Sequence, residues 1–511
     1  MAETKKVVLF FPNPVRNYGK APAASTPGFP MSILALSGPI KEAGYEPVLI
    51  YEGIAGNGDL EGYVLDACRG AICLGVSSMT GNQLRGAIQY ASLVRRHLPE
   101  LPIVWGGYHP TIMPEQTLAE DYVDIVVRGQ GEATFLEVVQ RLEEGRWVEG
   151  VAGTLYLDQD GKVVANPPRP QVSLKELPPL PYELLDVEKI ITRNSPVFRS
   201  LQYISSTGCP FNCGFCAEPL VTERKWMGRS SEQVVEEVAR LAKEYWLDHV
   251  TFIDPNFFVS LKRARQVLRG MIEAGVNIKW SAVARVDQVL KFDKELWTLV
   301  RESGCRSLGV GAESGSPRVL SLIDKRISVD EIFECSRRMK ENGVGGIFSF
   351  MVGFPLDDEP RRQEMMRTLA AVKEVKSIFA EIKTPICYYA PYPGSALYPF
   401  ALKAGFQAPQ TLSGWSDFDF TDVVTPWVSD EEKDYIERCG TFYYPIAFPD
   451  ERVLRNLDRG LVRLPFRMLR GLAAARVRRD YYRFPVEWII AKTAARLMGK
   501  DQPFHISQFY S

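Results

Sequence analysis

The chain has 511 residues, 46% of them hydrophobic and 24% charged, and a net charge of −1. This balance describes an ordinary globular protein of about two to four domains and supplies no bulk charge for nucleic acid. No run of about 18 apolar residues is present, so a spanning helix is not expected, and the apolar run before Pro12 is too short for a signal peptide.

Residues 1–150 alternate apolar strands (6–11, 47–51, 71–77, 103–105, 125–127) with amphipathic helices (32–43, 83–96, 133–142). That alternation predicts an α/β domain, a doubly wound, Rossmann-like parallel sheet. Ligands of such sheets sit beyond the strands' carboxyl ends. The residues there are Ser77 and Thr80, then Gly106, Gly107 and His109, then Gly129, Gly131 and Glu132. Residues 151–195 read as a linker: a hairpin (153–157 and 162–165), then Pro167, Pro168, Pro170, Pro178, Pro179 and Pro181. That composition is extended and semi-rigid.

Residues 196–405 repeat strand–helix units, with strands over 202–206, 249–253, 279–283, 307–310, 346–351 and 381–389 and a helix over 231–245 capped by Ser230. About six such units predict a partial (β/α)6 TIM-like barrel, whose site is built at the strands' carboxyl ends. Arg285, Glu313, Ser314, Tyr388 and Tyr389 fall there. Arg285 suits a carboxylate, since its guanidinium makes forked contacts; an ion pair with Asp287 is the structural alternative. Tyr388 and Tyr389 are candidate catalytic or pocket-lining residues, or simply pack, and Trp415 and Trp427 read as packing residues.

Residues 406–511 are expected to be mostly helical. From Arg452 to Arg483 ten arginines face two acids, Asp458 and Asp480, an excess of eight positive charges. Leu454, Leu457, Leu461, Leu464, Met468, Leu469 and Leu472 interleave with them at helical spacing. Such a helix lies on an anionic membrane, clasps an acidic flank of the barrel, or is solvated; the packed arrangement is the expected one.

The chemistry is concentrated in Cys209, Cys213 and Cys216, spaced C-x3-C-x2-C. Three thiolates on one loop can hold three corners of a [4Fe–4S] cluster and leave the fourth iron open. Structural zinc wants four ligands, commonly as two separated pairs, and no Cys or His follows within a few residues. The other cysteines (Cys68, Cys73, Cys305, Cys335, Cys387, Cys439) are scattered and read as mostly buried small hydrophobes. An odd count of nine favours a reducing cytoplasm over a disulfide framework.

The cysteine motif resembles the radical S-adenosylmethionine (radical SAM) superfamily. Gly106-Gly107-Tyr108-His109-Pro110-Thr111 and Val126-Val127-Arg128-Gly129-Gln130-Gly131-Glu132 resemble the cobalamin-binding domain that precedes the barrel in one subgroup. The resemblance spans residues 5 to about 405. It implies SAM on the open iron, a 5′-deoxyadenosyl radical made by reductive SAM cleavage, and cobalamin in the first domain. It implies SAM contacts from Phe215, Arg285, Glu313 and Ser314. Two departures stand out. The Asp-x-His-x-x-Gly motif that supplies a lower cobalt ligand is missing, so cobalamin without a histidine ligand is expected. The Gly-Gly-Glu segment after the second barrel strand is replaced by Asp254-Pro255-Asn256.

The function implied is methyl transfer to an unactivated carbon of a small or lipophilic substrate. The alternatives are oxidative cyclisation or rearrangement, as in the anaerobic magnesium-protoporphyrin ester cyclase of this subgroup, and a non-enzymatic corrinoid or iron–sulfur carrier. An electron donor such as flavodoxin or ferredoxin is the implied partner. The implied location is cytoplasmic, with peripheral contact at the inner membrane face if the basic segment meets lipid.

Overall fold

The computed structural model describes residues 5–12, 29–51, 59–194, 198–418, 423–451, 454 and 463–497. Among the charged and apolar positions read from the sequence, Arg452, Arg455, Leu457, Asp458, Arg459 and Leu461 lie outside them.

The first sheet contains β1 (Lys6–Phe11), β2 (Glu46–Tyr51), β3 (Leu74–Ser77), β4 (Ile103–Gly106), β5 (Ile125–Val127), β6 (Thr154–Leu157) and β7 (Val163–Ala165), in the order β2-β1-β3-β4-β5-β6-β7. The first five pair in parallel. Val7, Val8, Leu9 and Phe10 are all fully buried, the continuous apolar run that a strand covered on both faces requires. The hairpin read as part of the linker is in fact the sheet's edge, with β6 antiparallel to β5 and β7 to β6. Strand order reverses between β1 and β3, which opens the ligand crevice at the carboxyl ends.

The second sheet contains β8 (Ser200–Tyr203), β11 (His249–Phe252), β12 (Lys279–Arg285), β13 (Cys305–Glu313), β14 (Gly345–Val352), β15 (Ile382–Lys383) and β16 (Ile386–Tyr388). All pair in parallel in the order β15-β14-β13-β12-β11-β8, with β16 also on β14. This is the six-position open barrel expected, except that 381–389 splits into two short strands and 202–206 ends early at Tyr203. Between β8 and β11 the small pair β9 (Ser206–Thr207) and β10 (Met227–Gly228) brackets the cysteine loop. Helix Ser231–Glu244 opens with the expected cap, Ser230 accepting from the Gln233 N–H and Gln233 returning the bond.

Beyond the barrel the described residues are mostly helical, with long helices at Arg463–Arg479 and Val486–Leu497. No helix among the described residues is long and apolar enough to cross a membrane.

Candidate functional site

The cysteine loop leaves β9 through Gly208, at φ +79°. A Cβ there would stand 1.8 Å from the Lys225 carbonyl oxygen, so only glycine admits this turn. The loop's centre is pinned by the Gly214 N–H on the Ile323 carbonyl (2.8 Å) and by the Leu397 N–H on the Gly214 carbonyl (2.9 Å). The Cys213 sulfur accepts from Arg285 Nη1 and the Cys216 sulfur from the Glu218 N–H, each at 3.4 Å. Burial pushes the Cys216 thiol up to about 12 and raises Cys209, and Cys213 raises both further, so the three sulfurs share one electrostatic neighbourhood. Among the described residues no three His, Cys, Asp or Glu side chains converge on a single ion. Three cysteines on one loop suit a cluster with one sulfur per corner, and donors are already aimed at two of the sulfurs.

Arg285, buried at the end of β12, is fully engaged. Nε bonds Asp287 Oδ1 at 2.8 Å and Nη2 the Lys325 carbonyl at 2.7 Å, and the guanidinium lies 3.8 Å from the Phe211 ring centre. The expected ion pair with Asp287 is formed, and the arginine braces the cysteine loop. Glu313 ends β13 in the left-handed region, φ +63°, where the register shifts. Its carboxylate takes Lys325 Nζ at 2.6 Å, and both side chains are nearly dry. Ser314, fully buried, bonds Thr368 Oγ1 at 2.9 Å and accepts from the Ser316 N–H. Phe215 is half-buried against the core. Asp254 accepts from the Ser205 N–H and hydroxyl and from the Ser206 hydroxyl, tying β11 to the strand that enters the cysteine loop. Tyr388 and Tyr389 are both buried, and the Tyr389 ring stacks on Phe354. Asn256 Nδ2, Gln288 Oε1 and the Tyr389 hydroxyl are buried without hydrogen-bond partners. Such groups at one barrel end suit a ligand rich in amino, carboxylate and hydroxyl groups, as SAM is.

In the first sheet, Ser77 Oγ bonds Ser32 Oγ at 2.8 Å, and Gly107 (φ +101°) follows Gly106. A Cβ on Gly107 would come 2.6 Å from the Ser78 carbonyl. His109 does not stand in a loop, as its Gly-Gly and Pro neighbours suggest, but in a short helix, Tyr108–Ile112, because Pro110 falls in the first turn, where its missing N–H costs nothing. His109 Nδ1 meets Thr80 Oγ1 at 2.9 Å. Burial lowers its pKa to about 4, leaving a neutral ring whose Nε2 has no hydrogen-bond partner and which lies beside Trp415. The Gly129 N–H donates to Thr111 Oγ1 at 3.0 Å. Gly131 leads into Glu132, the first residue of helix Glu132–Glu143, whose carboxyl is raised chiefly by burial although part of the side chain reaches solvent. The glycine backbones and the unpartnered, buried Ser78 hydroxyl suit a large planar cofactor with amide arms.

The carboxyl ends of the two sheets face one another. The Tyr108 hydroxyl donates to the buried Glu218 carboxylate, two residues past Cys216. Gln171 Nε2 bonds the Thr222 carbonyl at 3.0 Å. Segment 409–418 closes the side: Trp415 Nε1 bonds Gln116 Oε1 at 2.8 Å, the Gly81 N–H bonds the Trp415 carbonyl, and Arg85 pairs with Asp417. Tyr108, Glu218 and Lys325 escape a reading of the sequence. Lys325 and Glu313 are twelve residues apart and Tyr108 and Glu218 are 110 apart, spacings that leave no periodic signal.

Residues 203–369 match the family model of the Radical SAM superfamily, and residues 23–139 that of the B12 binding domain. An uncharacterised methyltransferase of Pyrococcus horikoshii is 33% identical over 331 residues, 64% of this chain and 69% of that one. The anaerobic magnesium-protoporphyrin IX monomethyl ester cyclase of Rubrivivax gelatinosus is 27% identical over 59% of this chain, which spans about half (53%) of the cyclase. The solved cobalamin-dependent S-adenosylmethionine radical enzyme OxsB, with aqua-cobalamin and S-adenosylmethionine bound, superposes with a TM-score of 0.73 at 16% identity, over 98% of this chain and 76% of its own.

Proposed function

The chain belongs to the cobalamin-binding radical SAM enzymes, and on that premise we propose that it transfers a methyl group to an unactivated carbon of a small or lipophilic molecule. Its cofactors are a [4Fe–4S] cluster, SAM and cobalamin. When bound, the cluster and SAM would supply one-electron chemistry for hydrogen removal, and cobalamin would supply a transferable methyl group. One observation carries the proposal: the two sheets' carboxyl ends meet, with Tyr108 bonded to Glu218 beside the cysteine loop. A carbon held between them would lie between the residues proposed to hold the two reagents, and proximity of this kind supplies much of a catalyst's advantage.

Cys209, Cys213 and Cys216 would hold the cluster, with Arg285 fixing Cys213. Asn256, Gln288, Glu313, Ser314 and Phe215 would surround SAM. Ser77, Thr80, Gly106, Gly107, His109, Gly129, Gly131 and Glu132 would cradle cobalamin, the neutral His109 holding Thr80 in place. Tyr388 and Tyr389 would close the substrate side and exclude water. A cytoplasmic setting and a small flavin or iron–sulfur electron donor accompany this reading.

The similarity to the ester cyclase favours a second reading, cyclisation without net methyl transfer. Counting products separates them. Anaerobic turnover should give S-adenosylhomocysteine and 5′-deoxyadenosine together in the presence of substrate. 5′-Deoxyadenosine alone, with an oxidised product, would establish the cyclase reading, and absence of SAM cleavage would leave a carrier. The substrate can be sought by mass spectrometry of extracts from a deletion strain.

A further inference from the structure

The C-terminal helices have two apolar sides. On helix Arg463–Arg479, Phe466, Ala473 and Val477 are buried. Leu464, Met468 and Leu472 are exposed, the first two at 69% and 68%. With about 100° per residue the exposed three form one stripe, centred roughly opposite the buried three. Helix Val486–Leu497 repeats the pattern. Trp488 is buried, packs on Phe442 and bonds Asp434, while Val486, Ile490 and Leu497 face out. Phe484, in the turn between the helices, is 79% exposed. Among the described residues, nine of the twenty exposed large hydrophobic side chains lie between Leu464 and Leu497. Both helices pack their inner sides on the body of the protein and are tied together by Arg476 on Glu487, so both stripes lie on the outer surface.

Residues 463–497 carry eight arginines and one lysine against two acids. Both acids are already engaged, Asp480 by Lys373 and Glu487 by Arg476. Arg470, Arg478 and Arg479 are exposed. A second copy is a poor occupant, because two such faces would bring like charges together. A surface that offers both anions and hydrocarbon at one boundary meets every feature at once. We propose that the hairpin Arg463–Leu497 docks this enzyme on an anionic lipid surface, with the aliphatic stripes at the headgroup–acyl boundary and the arginines on lipid phosphates.

Flotation of the full chain, loaded with cluster and cobalamin, with vesicles of phosphatidylglycerol or of phosphatidylcholine tests this. Binding should occur on the phosphatidylglycerol vesicles, exceed that on phosphatidylcholine by about tenfold or more, and fall as salt rises. Two variants separate the contributions: M468S with L472S and I490S, and R478E with R479E, the two exposed arginines on or beside the stripe. Each should lose about tenfold in vesicle binding, with unchanged melting temperature and cofactor content, since these side chains are exposed. Three results overturn the proposal. One is no binding to phosphatidylglycerol. Another is equal binding to both vesicles. The third is a dimer in sedimentation that the serine variant dissociates, which would make a second copy the occupant. None of these readouts depends on the reaction catalysed.

Discussion

Glu313 stands in the left-handed region with its carboxylate on Lys325, and both side chains are almost completely withdrawn from water. A non-glycine residue in that conformation costs about 1 kcal/mol, so the backbone there is held by what surrounds it. The ion pair is one restraint, and the Arg285 guanidinium on the Lys325 carbonyl is another. Removing one partner leaves a charge buried alone. Lys325→Met should therefore cost about 3–5 kcal/mol in urea unfolding, and Glu313→Gln added to it should restore more than half of that loss. If Lys325→Met melts like the parent, the pair is not buried as described. Only part of this was legible in the sequence. Cys209, Cys213 and Cys216 declare themselves because one loop holds all three. Glu313 and Ser314 are marked by their place at a strand's carboxyl end, and their role is visible only through resemblance. Lys325 acquires its role from a turn, 12 residues on, that brings it back over the strand end.

At the level of elements, His249 sits where β11 begins and joins three strands. Its Nδ1 is 3.0 Å from Ser200 Oγ in β8 and 3.4 Å from Thr251 Oγ1, and its Nε2 is 3.2 Å from Ser281 Oγ in β12. Burial, with the nearby Arg306 charge adding to it, lowers its pKa to about 4. The unfolded chain, with a pKa of about 6.5, then binds more protons between those values. Stability is complete above pH about 6.5 and falls as pH drops toward 4, by up to about 3 kcal/mol for this one group. His109 adds a slope of the same sign. Melting temperature should thus decline on acidification, and His249→Gln, which keeps a donor and an acceptor, should flatten the decline without removing it. An identical decline in the variant would show that His249 is already charged in the fold. The strands and helices themselves were readable, since parallel strands alternating with helices print their burial on the sequence. The β6–β7 hairpin was seen, but its place was not: pairing with β5 depends on an edge that no local pattern reveals. The short helix around His109 was hidden for the opposite reason, its Gly and Pro reading as a loop although both fit a helix start.

At the level of the whole molecule, two sheets present their carboxyl ends to one another, and the chemistry depends on what lies between. His109 bears on what the first sheet can offer cobalt. The ring is fully buried, held by Thr80 and covered by Trp415. The cob(II)alamin form of the purified protein should accordingly show no nitrogen superhyperfine splitting from a protein imidazole, and splitting that disappears in His109→Gln would make His109 a cobalt ligand. Among the described residues Tyr108 reaches across from the first sheet to the helix that follows the cysteine loop. Its hydroxyl meets a carboxylate that burial raises, so Glu218 joins the cobalamin side to the turn that follows the cysteine loop. Tyr108→Phe removes one hydrogen bond and keeps the ring. Iron and cobalamin content should be unchanged, because neither Cys209, Cys213 and Cys216 nor the glycines of the first sheet lose a partner. Alignment should suffer instead. A misplacement of about 1 Å can cost a factor of about 100 in a reaction between two held groups. Tyr108→Phe should therefore keep SAM cleavage to 5′-deoxyadenosine while methylated product falls by about tenfold or more, and Glu218→Gln, still able to accept the tyrosine's hydrogen bond, should fall less. Hydrogen exchange supplies a readout free of turnover: amides over 106–113 and 208–222 should lose protection together in Tyr108→Phe. Loss of protection in one segment alone would mean that the sheets are aligned by the contacts of Trp415 and Gln171, and that Tyr108 serves only its own helix.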